Sequence, residues 1–277
     1  MSIVTGLFAS EAPWLWAGLS GYTATALAAW HGAVRGTRAD RIVIAFMLVG
    51  VVAFAGAIAA RWLRVGYGPF LTMFEILLSN LFSLGLVFLV AYWRVALARS
   101  SALVSLPILM VLGIWSLSVS GEPSRLPATY DNPWLWVHVG VGKLFLGTTL
   151  VAVGIAGLLL MRHAGMRLAP LRWLPATADL DALAWRFMAL AFVFHSLMLI
   201  AGAVWAQDAW GRYWAWDPLE TWAFVTWLAL GASLHARLTY NLPVWLGWLA
   251  ILGVFVLAFL TFFGVPFISL APHKGIL

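Results

Sequence analysis

The chain has 277 residues, 64% of them hydrophobic and 9% charged, with a mean hydropathy of +0.96 and a formal net charge of +6. So few charges cannot give a set of helices solvated faces, which excludes a water-soluble fold and makes this an integral membrane protein by expectation. The pI of 10.2 does not point to nucleic acid, because the basic residues are scattered along the chain rather than gathered into a patch.

Crossing about 30 Å of hydrocarbon takes about 20 apolar residues, and eight such runs are centred near residues 24, 51, 83, 110, 150, 195, 228 and 253. They predict an all-α, polytopic bundle of about eight transmembrane helices, forming a single membrane domain over residues 1–277. The segment before Trp14 lacks a basic n-region, so it reads as a translocated tail and not as a cleavable signal. With that tail outside, the inner breaks hold ten basic residues: Arg35, Arg38, Arg41, Arg94, Arg99, Arg162, Arg167, Arg172, Arg186 and Arg237. The outer breaks hold five, Arg61, Arg64, Arg125, Arg212 and Lys274. The bias places both termini on the extracytoplasmic side.

Two charges fall inside apolar runs, Glu75 in the third and Lys143 in the fifth. Both are expected to face the bundle interior or to find each other, with snorkelling to the outer surface as the alternative for Lys143. The longest polar break, Arg162 to Trp185, contains Pro170 and Pro175. It reads either as a connector with an interfacial helical turn starting at Thr177 or Asp179, or as a disordered loop. The chain has no cysteine, so any thiol chemistry belongs to a partner.

The break between the sixth and seventh runs, "WAQDAWGRYWAWDPLETWAF" from Trp205 to Phe224, holds five of the 18 tryptophans. One or two would serve as an interfacial belt. Continued as a helix to Trp216, the segment puts Trp210, Tyr213, Trp214 and Asp217 at i, i+3, i+4 and i+7, a stripe suited either to the membrane interface or to a large flat apolar ligand. "DPLE" is a helix-start signature, with Asp217 as the cap, Pro218 at the first helical position and Glu220 reaching back.

"WGRYWAWDPLETWAFVTW" resembles the tryptophan-rich WWD motif, WGxYWxWDPxETWAxxTW, of the CcsA/ResC heme-handling proteins of system II cytochrome c biogenesis. "RFMALAFVFHSLMLIAGAVWA", "LHARL", "PATYDNPWLWVHVGV" and "GYGPFLTMFEILL" look like the same family, so the likeness runs from about residue 61 to 277. Leu219 stands where the family usually has lysine, and the C-terminal "APHKGIL" keeps a histidine without the usual "HSYG".

The resemblance implies heme b as the substrate, held at an extracytoplasmic WWD segment, residues 205–220, by Trp205, Trp210, Trp214, Trp216, Asp217 and Trp222. It implies His138 and His273 as the axial ligands, and His235, near the inner end of the seventh run, as a ligand of heme on its way out. Its second ligand there would come from a CcsB/ResB-type partner, or from His31 or His195 of this chain, while His163 reads as solvated. The propionates would be met by Arg212, Arg61, Arg64 or Arg125. The implied setting is the bacterial cytoplasmic membrane or its thylakoid equivalent. The implied role is a subunit of a holocytochrome c synthase that presents heme to the CxxCH thiols of apocytochrome c. The alternatives are a CcmC-like heme transporter that loads a chaperone and a heme-free assembly or regulatory protein.

Overall fold

The computed structural model describes residues 10–37, 40–68 and 70–265. Eight α-helices lie on the eight apolar runs: α1 (Ala12–Arg35), α2 (Asp40–Val65), α3 (Met73–Arg94), α4 (Ala102–Ser118), α5 (Pro133–His163), α6 (Thr177–Trp210), α7 (Pro218–Thr239) and α8 (Val244–Phe259). No strand interrupts them among the described residues. Six spans have the length and apolar composition of a membrane-crossing helix: α2, α3, α4 with the 3-10 turn Ala96–Ser101 ahead of it, α5, α6, and α8 continued to Gly264. The polytopic helical bundle read from the sequence is therefore present. α1 and α7, at 24 and 22 residues, are nearly as long but more polar. The helical turn expected at Thr177 is not a separate element; it is the first turn of the 34-residue α6.

The helices group into two compact units. The first contains α1 to α4 and the connector Arg167–Pro175, whose 3-10 turn Ala169–Trp173 packs on α1. Its helices form a closed ring in which α1 meets α2 and α4, and α3 meets α2 and α4. Without a hydrophobic drive between helices in lipid, close approach depends on small residues. Gly85 shows this: a Cβ there would lie 1.6 Å from the Tyr22 hydroxyl oxygen, which donates to the Leu81 carbonyl at 2.7 Å.

The same unit buries a charge cluster. Arg61, with no exposed surface, donates to Glu75 from Nε (3.0 Å) and Nη2 (2.8 Å), and from Nη1 to Glu11 (3.2 Å) and the Gly121 carbonyl (2.5 Å). Arg64 also bonds Glu11. Glu75 is the third residue of a capping box with Thr72, and its Oε2 accepts from the amides of Leu71 and Thr72. Buried charges persist where partners and hydrogen bonds satisfy them, and the counter-charge to Glu75 is Arg61. Arg61 is thereby committed to structure and drops out as a propionate partner.

The second unit contains α5 to α8, again as a ring: α5 meets α6 and α8, and α7 meets α6 and α8. At one end Asp181 of α6 accepts from Trp248 Nε1 of α8 (2.8 Å) and from Arg237 of α7. Partway along, the Thr226 and Thr261 hydroxyls meet at 3.0 Å. At the opposite end Asn132 donates to Asp208 (3.1 Å), and Trp205 Nε1 donates to the Thr129 carbonyl (2.8 Å). This second end carries the tryptophan segment.

Candidate functional site

α6 stops at Trp210 because Gly211 adopts a left-handed conformation, φ 72°, and its amide closes on the Gln207 carbonyl at 2.9 Å. Residues 211–217 are not helical. The single stripe through Trp210, Tyr213, Trp214 and Asp217 is therefore replaced by a loop. α7 then begins as the capping signature requires: Asp217 accepts from the Glu220 amide (2.9 Å), and Pro218 takes the first position. Glu220 reaches back two residues beyond the cap, accepting from the Ala215 amide at 2.7 Å.

Between these anchors sits Trp216, at φ 58° the non-glycine residue with positive φ among the described residues. Such a conformation costs about 1–3 kcal/mol and persists only where its surroundings enforce it. Here Glu220 holds Ala215, Thr221 Oγ1 donates to the Trp216 carbonyl (3.2 Å), and Asp217 is fixed as the cap. The strain turns Trp216 outward, leaving it 65% exposed.

The aromatic rings form two groups. Trp214 and Trp216 meet edge-on at 5.6 Å, and both meet Phe224 of α7 edge-on, at 6.2 and 5.9 Å. Phe224 stacks on Trp227 (5.9 Å, 16°), which stacks on Phe192 (5.4 Å, 21°). Trp227 Nε1 donates to Ser196 Oγ at 2.8 Å, fixing its plane. The buried Trp214 Nε1 has no hydrogen-bond partner among the described residues. In the second group Trp205, 2% exposed, meets Trp210 (4.9 Å) and Tyr130 (5.6 Å) edge-on. Burial pushes the Tyr130 hydroxyl pKa up. Trp222 is half-buried on α7, and Arg212 is exposed in the loop.

His138 belongs to the second group. Its ring lies 6.1 Å from Trp205 in a stacked arrangement (25°), and its Nδ1 is 2.9 Å from the Met198 carbonyl oxygen. A carbonyl can only accept, so Nδ1 carries the proton, and in the neutral ring Nε2 bears the lone pair. Metal-ligating histidines are commonly oriented this way, with the second ring nitrogen donating to a carbonyl. Room for the ring comes from Gly202, where a Cβ would lie 2.7 Å from Nδ1. Trp205 is accordingly a backing for His138 and not an open platform.

The seam continues inward. Gly142 packs on Met198, and Phe145 stacks on His195 at 4.1 Å, so residues 138, 142 and 145 form one face of α5 against α6. His195 has no exposed surface, and neither of its ring nitrogens has a hydrogen-bond partner among the described residues. His235 is exposed at the other end of α7, its ring edge-on to Tyr240 at 6.2 Å and its Nε2 3.5 Å from Thr239 Oγ1. His31 is exposed on α1, and His163 is exposed beside Trp245 and Trp248. His273 lies outside the described residues. His138 and the tryptophans are thus together, and His235 is apart. Sequence reasoning missed Gly202, Met198 and Tyr130; their signal, a small residue facing a histidine across a helix pair, exists only once the pairing is known.

These features define a polytopic helical membrane protein with a histidine held in one tautomer at an aromatic-rich helix end. Residues 69–273 match the family described as Cytochrome C assembly protein, and the chain belongs to that family. It is similar to the Cytochrome c biogenesis protein CcsA of Guillardia theta, at 33% identity over 246 residues (78% of this chain, 79% of the relative). It is also similar to CcsA of Microcystis aeruginosa, at 30% over 276 residues (79% and 83%), and of Cuscuta reflexa, at 26% over 255 residues (82% and 83%). Among solved structures, the Cytochrome c Heme Lyase CcmF shares the fold, with a TM-score of 0.69 at 19% identity over 93% of this chain. The chain spans 46% of that protein's length.

Proposed function

We propose that the chain is the heme-handling membrane subunit of a cytochrome c synthase, holding heme b as substrate at the tryptophan end of the second unit and presenting it to the CxxCH thiols of apocytochrome c. The observation that carries this reading is His138, whose Nδ1–H is engaged by the Met198 carbonyl at 2.9 Å so that Nε2 is the ligating nitrogen. His138 takes one axial position and His273 the other. Trp210, Trp214, Trp216 and Trp222 border the macrocycle, and Asp217 with Glu220 holds the loop that carries them. Arg212, exposed in the loop of this unit, is the cation offered to the propionates.

Each client thiol adds across a vinyl double bond, forming a C–S bond while the thiol hydrogen passes to the other vinyl carbon, so no oxidant is needed. The contribution of this chain is orientation: an iron held through His138 fixes the heme edge, which turns a bimolecular encounter into a local one. The site faces the extracytoplasmic side, and a CcsB/ResB-type subunit completes the enzyme in the cytoplasmic or thylakoid membrane.

The test is the absorption spectrum of the purified protein, with and without the partner, in wild type and His138→Ala. Wild type should show a bis-histidine heme spectrum, and His138→Ala should lose heme or change its ligation, with exogenous imidazole restoring part of both. An unaltered spectrum and unaltered cytochrome c maturation in His138→Ala would remove His138 as a ligand.

A further inference from the structure

A cavity of about 310 Å³ lies in the first unit, where α1 ends, α2 begins, α3 ends and α4 is entered. That volume is within the range of small-ligand pockets, about 300–1,000 Å³. One part of its lining, along α1, carries almost no side chain, Ala28, Ala29, Gly32 and Ala33, and Val43, Leu97 and Leu103 add larger apolar side chains. Leu174 and Pro175 of the connector add a further wall. The α1 side of the cavity is thus an apolar slot bordered by small residues.

A polar group built from three elements also lines it. Asp40 accepts from the Tyr92 hydroxyl (3.1 Å) and from Arg99 Nη1 (2.5 Å), and Arg99 Nε donates to the Tyr92 carbonyl (3.2 Å). These bonds fix the guanidinium while leaving Arg99 Nη2 without a hydrogen bond of its own among the described residues. Asp40 is neutralised by Arg99, whereas Arg35, Arg41 and Arg172, each close in sequence to a lining residue, are exposed. The surroundings are therefore net positive. Three membrane-crossing spans end or begin here, at Asp40, Arg94 and Ala96, which puts the cavity at headgroup depth.

We propose that this cavity binds an anionic phospholipid, with an acyl chain in the alanine and glycine slot and the phosphate on Arg99 Nη2. Apolar volume, a guanidinium edge and a surplus of arginines at the end of a helix bundle are the chemistry that anionic headgroups select. The site is independent of the heme reading.

The experiment is native mass spectrometry of the full chain released from nanodiscs of phosphatidylglycerol or of phosphatidylcholine. Wild type should retain about one phosphatidylglycerol and no comparable phosphatidylcholine. Ala33→Leu, which fills the slot, should lower retention about tenfold or more. Arg99→Gln alone strands Asp40 and risks misfolding, so the charge test is the Asp40→Asn/Arg99→Gln pair, which should show a similar drop with unchanged helicity by circular dichroism. Equal retention of the two lipids overturns the proposal, as does full retention in Ala33→Leu. A free-phosphate arm separates the sources: protection against thermal unfolding by inorganic phosphate equal to that by phosphatidylglycerol would mean the slot holds no acyl chain, and would also overturn it.

Discussion

Gly202→Ala is the most direct test of how His138 is held. The added Cβ would lie 2.7 Å from Nδ1 and 2.9 Å from Cε1, whereas ordinary contact begins at 3.4 Å, so the ring must retreat by roughly 0.7 Å. Trp205 stacks beside the ring, and the Met198 carbonyl fixes Nδ1, so retreat means rotation and loss of that hydrogen bond. Overpacking of this kind costs about 1–3 kcal/mol and the bond about 0.5–1.5 kcal/mol. If half of the combined cost falls on the ligand-bound state, heme affinity drops about tenfold. Heme titration followed by absorbance measures this. The decisive variant is His138→Ala/Gly202→Ala: with no ring to displace, the second methyl should add nothing, so the double variant should match His138→Ala. An unchanged heme affinity in Gly202→Ala, or an equal further loss in the double variant, refutes the reasoning.

Asp217→Asn and Asp217→Ser, both good caps, should keep most cytochrome c maturation, while Asp217→Leu should lose about 0.5–2 kcal/mol at the start of α7 and unfix the loop; maturation assays on equally expressed protein decide between a cap and a carboxylate contact. For Glu11, burial pushes the carboxyl up, but the hydrogen bond and charge of Arg64, with Arg61, outweigh it and leave the pKa below the ordinary 4.5. A folded value below the unfolded one gives stability that is present above about pH 4.5 and lost as pH falls through the folded value. The thermal midpoint in detergent should fall in that window, and Glu11→Gln should flatten the fall. His235→Ala should lower heme occupancy at the tryptophan end while what remains keeps its bis-histidine spectrum; normal heme content would reduce His235 to a surface side chain.

The positions of the eight helices were legible because each is a run of apolar residues set by bilayer thickness, a constraint that acts on sequence directly. The cap at Asp217 was legible because capping is local, spanning three residues. The path of the chain from Trp210 to Asp217 was not: helical periodicity reads through Gly211 unless its φ is known, and nothing in "GRYWAW" announces that Trp216 will take φ 58°. Arg61 shows the opposite limit. Its place in an outer break made it look available to an anion, but its burial depends on Glu11, 50 residues earlier in the chain, and Glu75, 14 residues later. The partner of His138 is a backbone carbonyl, which any residue at position 198 would supply. What the sequence does specify there is the glycine at 202 that admits the ring.

Depth separates His138, His195 and His235 of the second unit. Seven residues of α5 separate His138 from Phe145, the ring against His195, so His195 lies roughly 10 Å further in at 1.5 Å per residue. His235 is 17 residues beyond Pro218, roughly 26 Å along α7 from the end that carries the tryptophans. Coordinate bonds are short and rigid, so an iron ligated by His138 cannot also be held by His235, whatever the macrocycle's tilt. The interior between them offers an imidazole, His195, whose nitrogens have no hydrogen-bond partner among the described residues, and an aromatic column, Phe224, Trp227 and Phe192, whose planes lie within about 21° of their neighbours. Gly231, one turn before His235, packs on Phe192, where a Cβ would sit 3.2 Å from the ring. The column therefore runs from the tryptophan loop to within a turn of His235 on the α6–α7 seam. It joins the two ends with flat aromatic surface, which is the surface a flat apolar substrate would require if the two ends of this unit acted on it in turn.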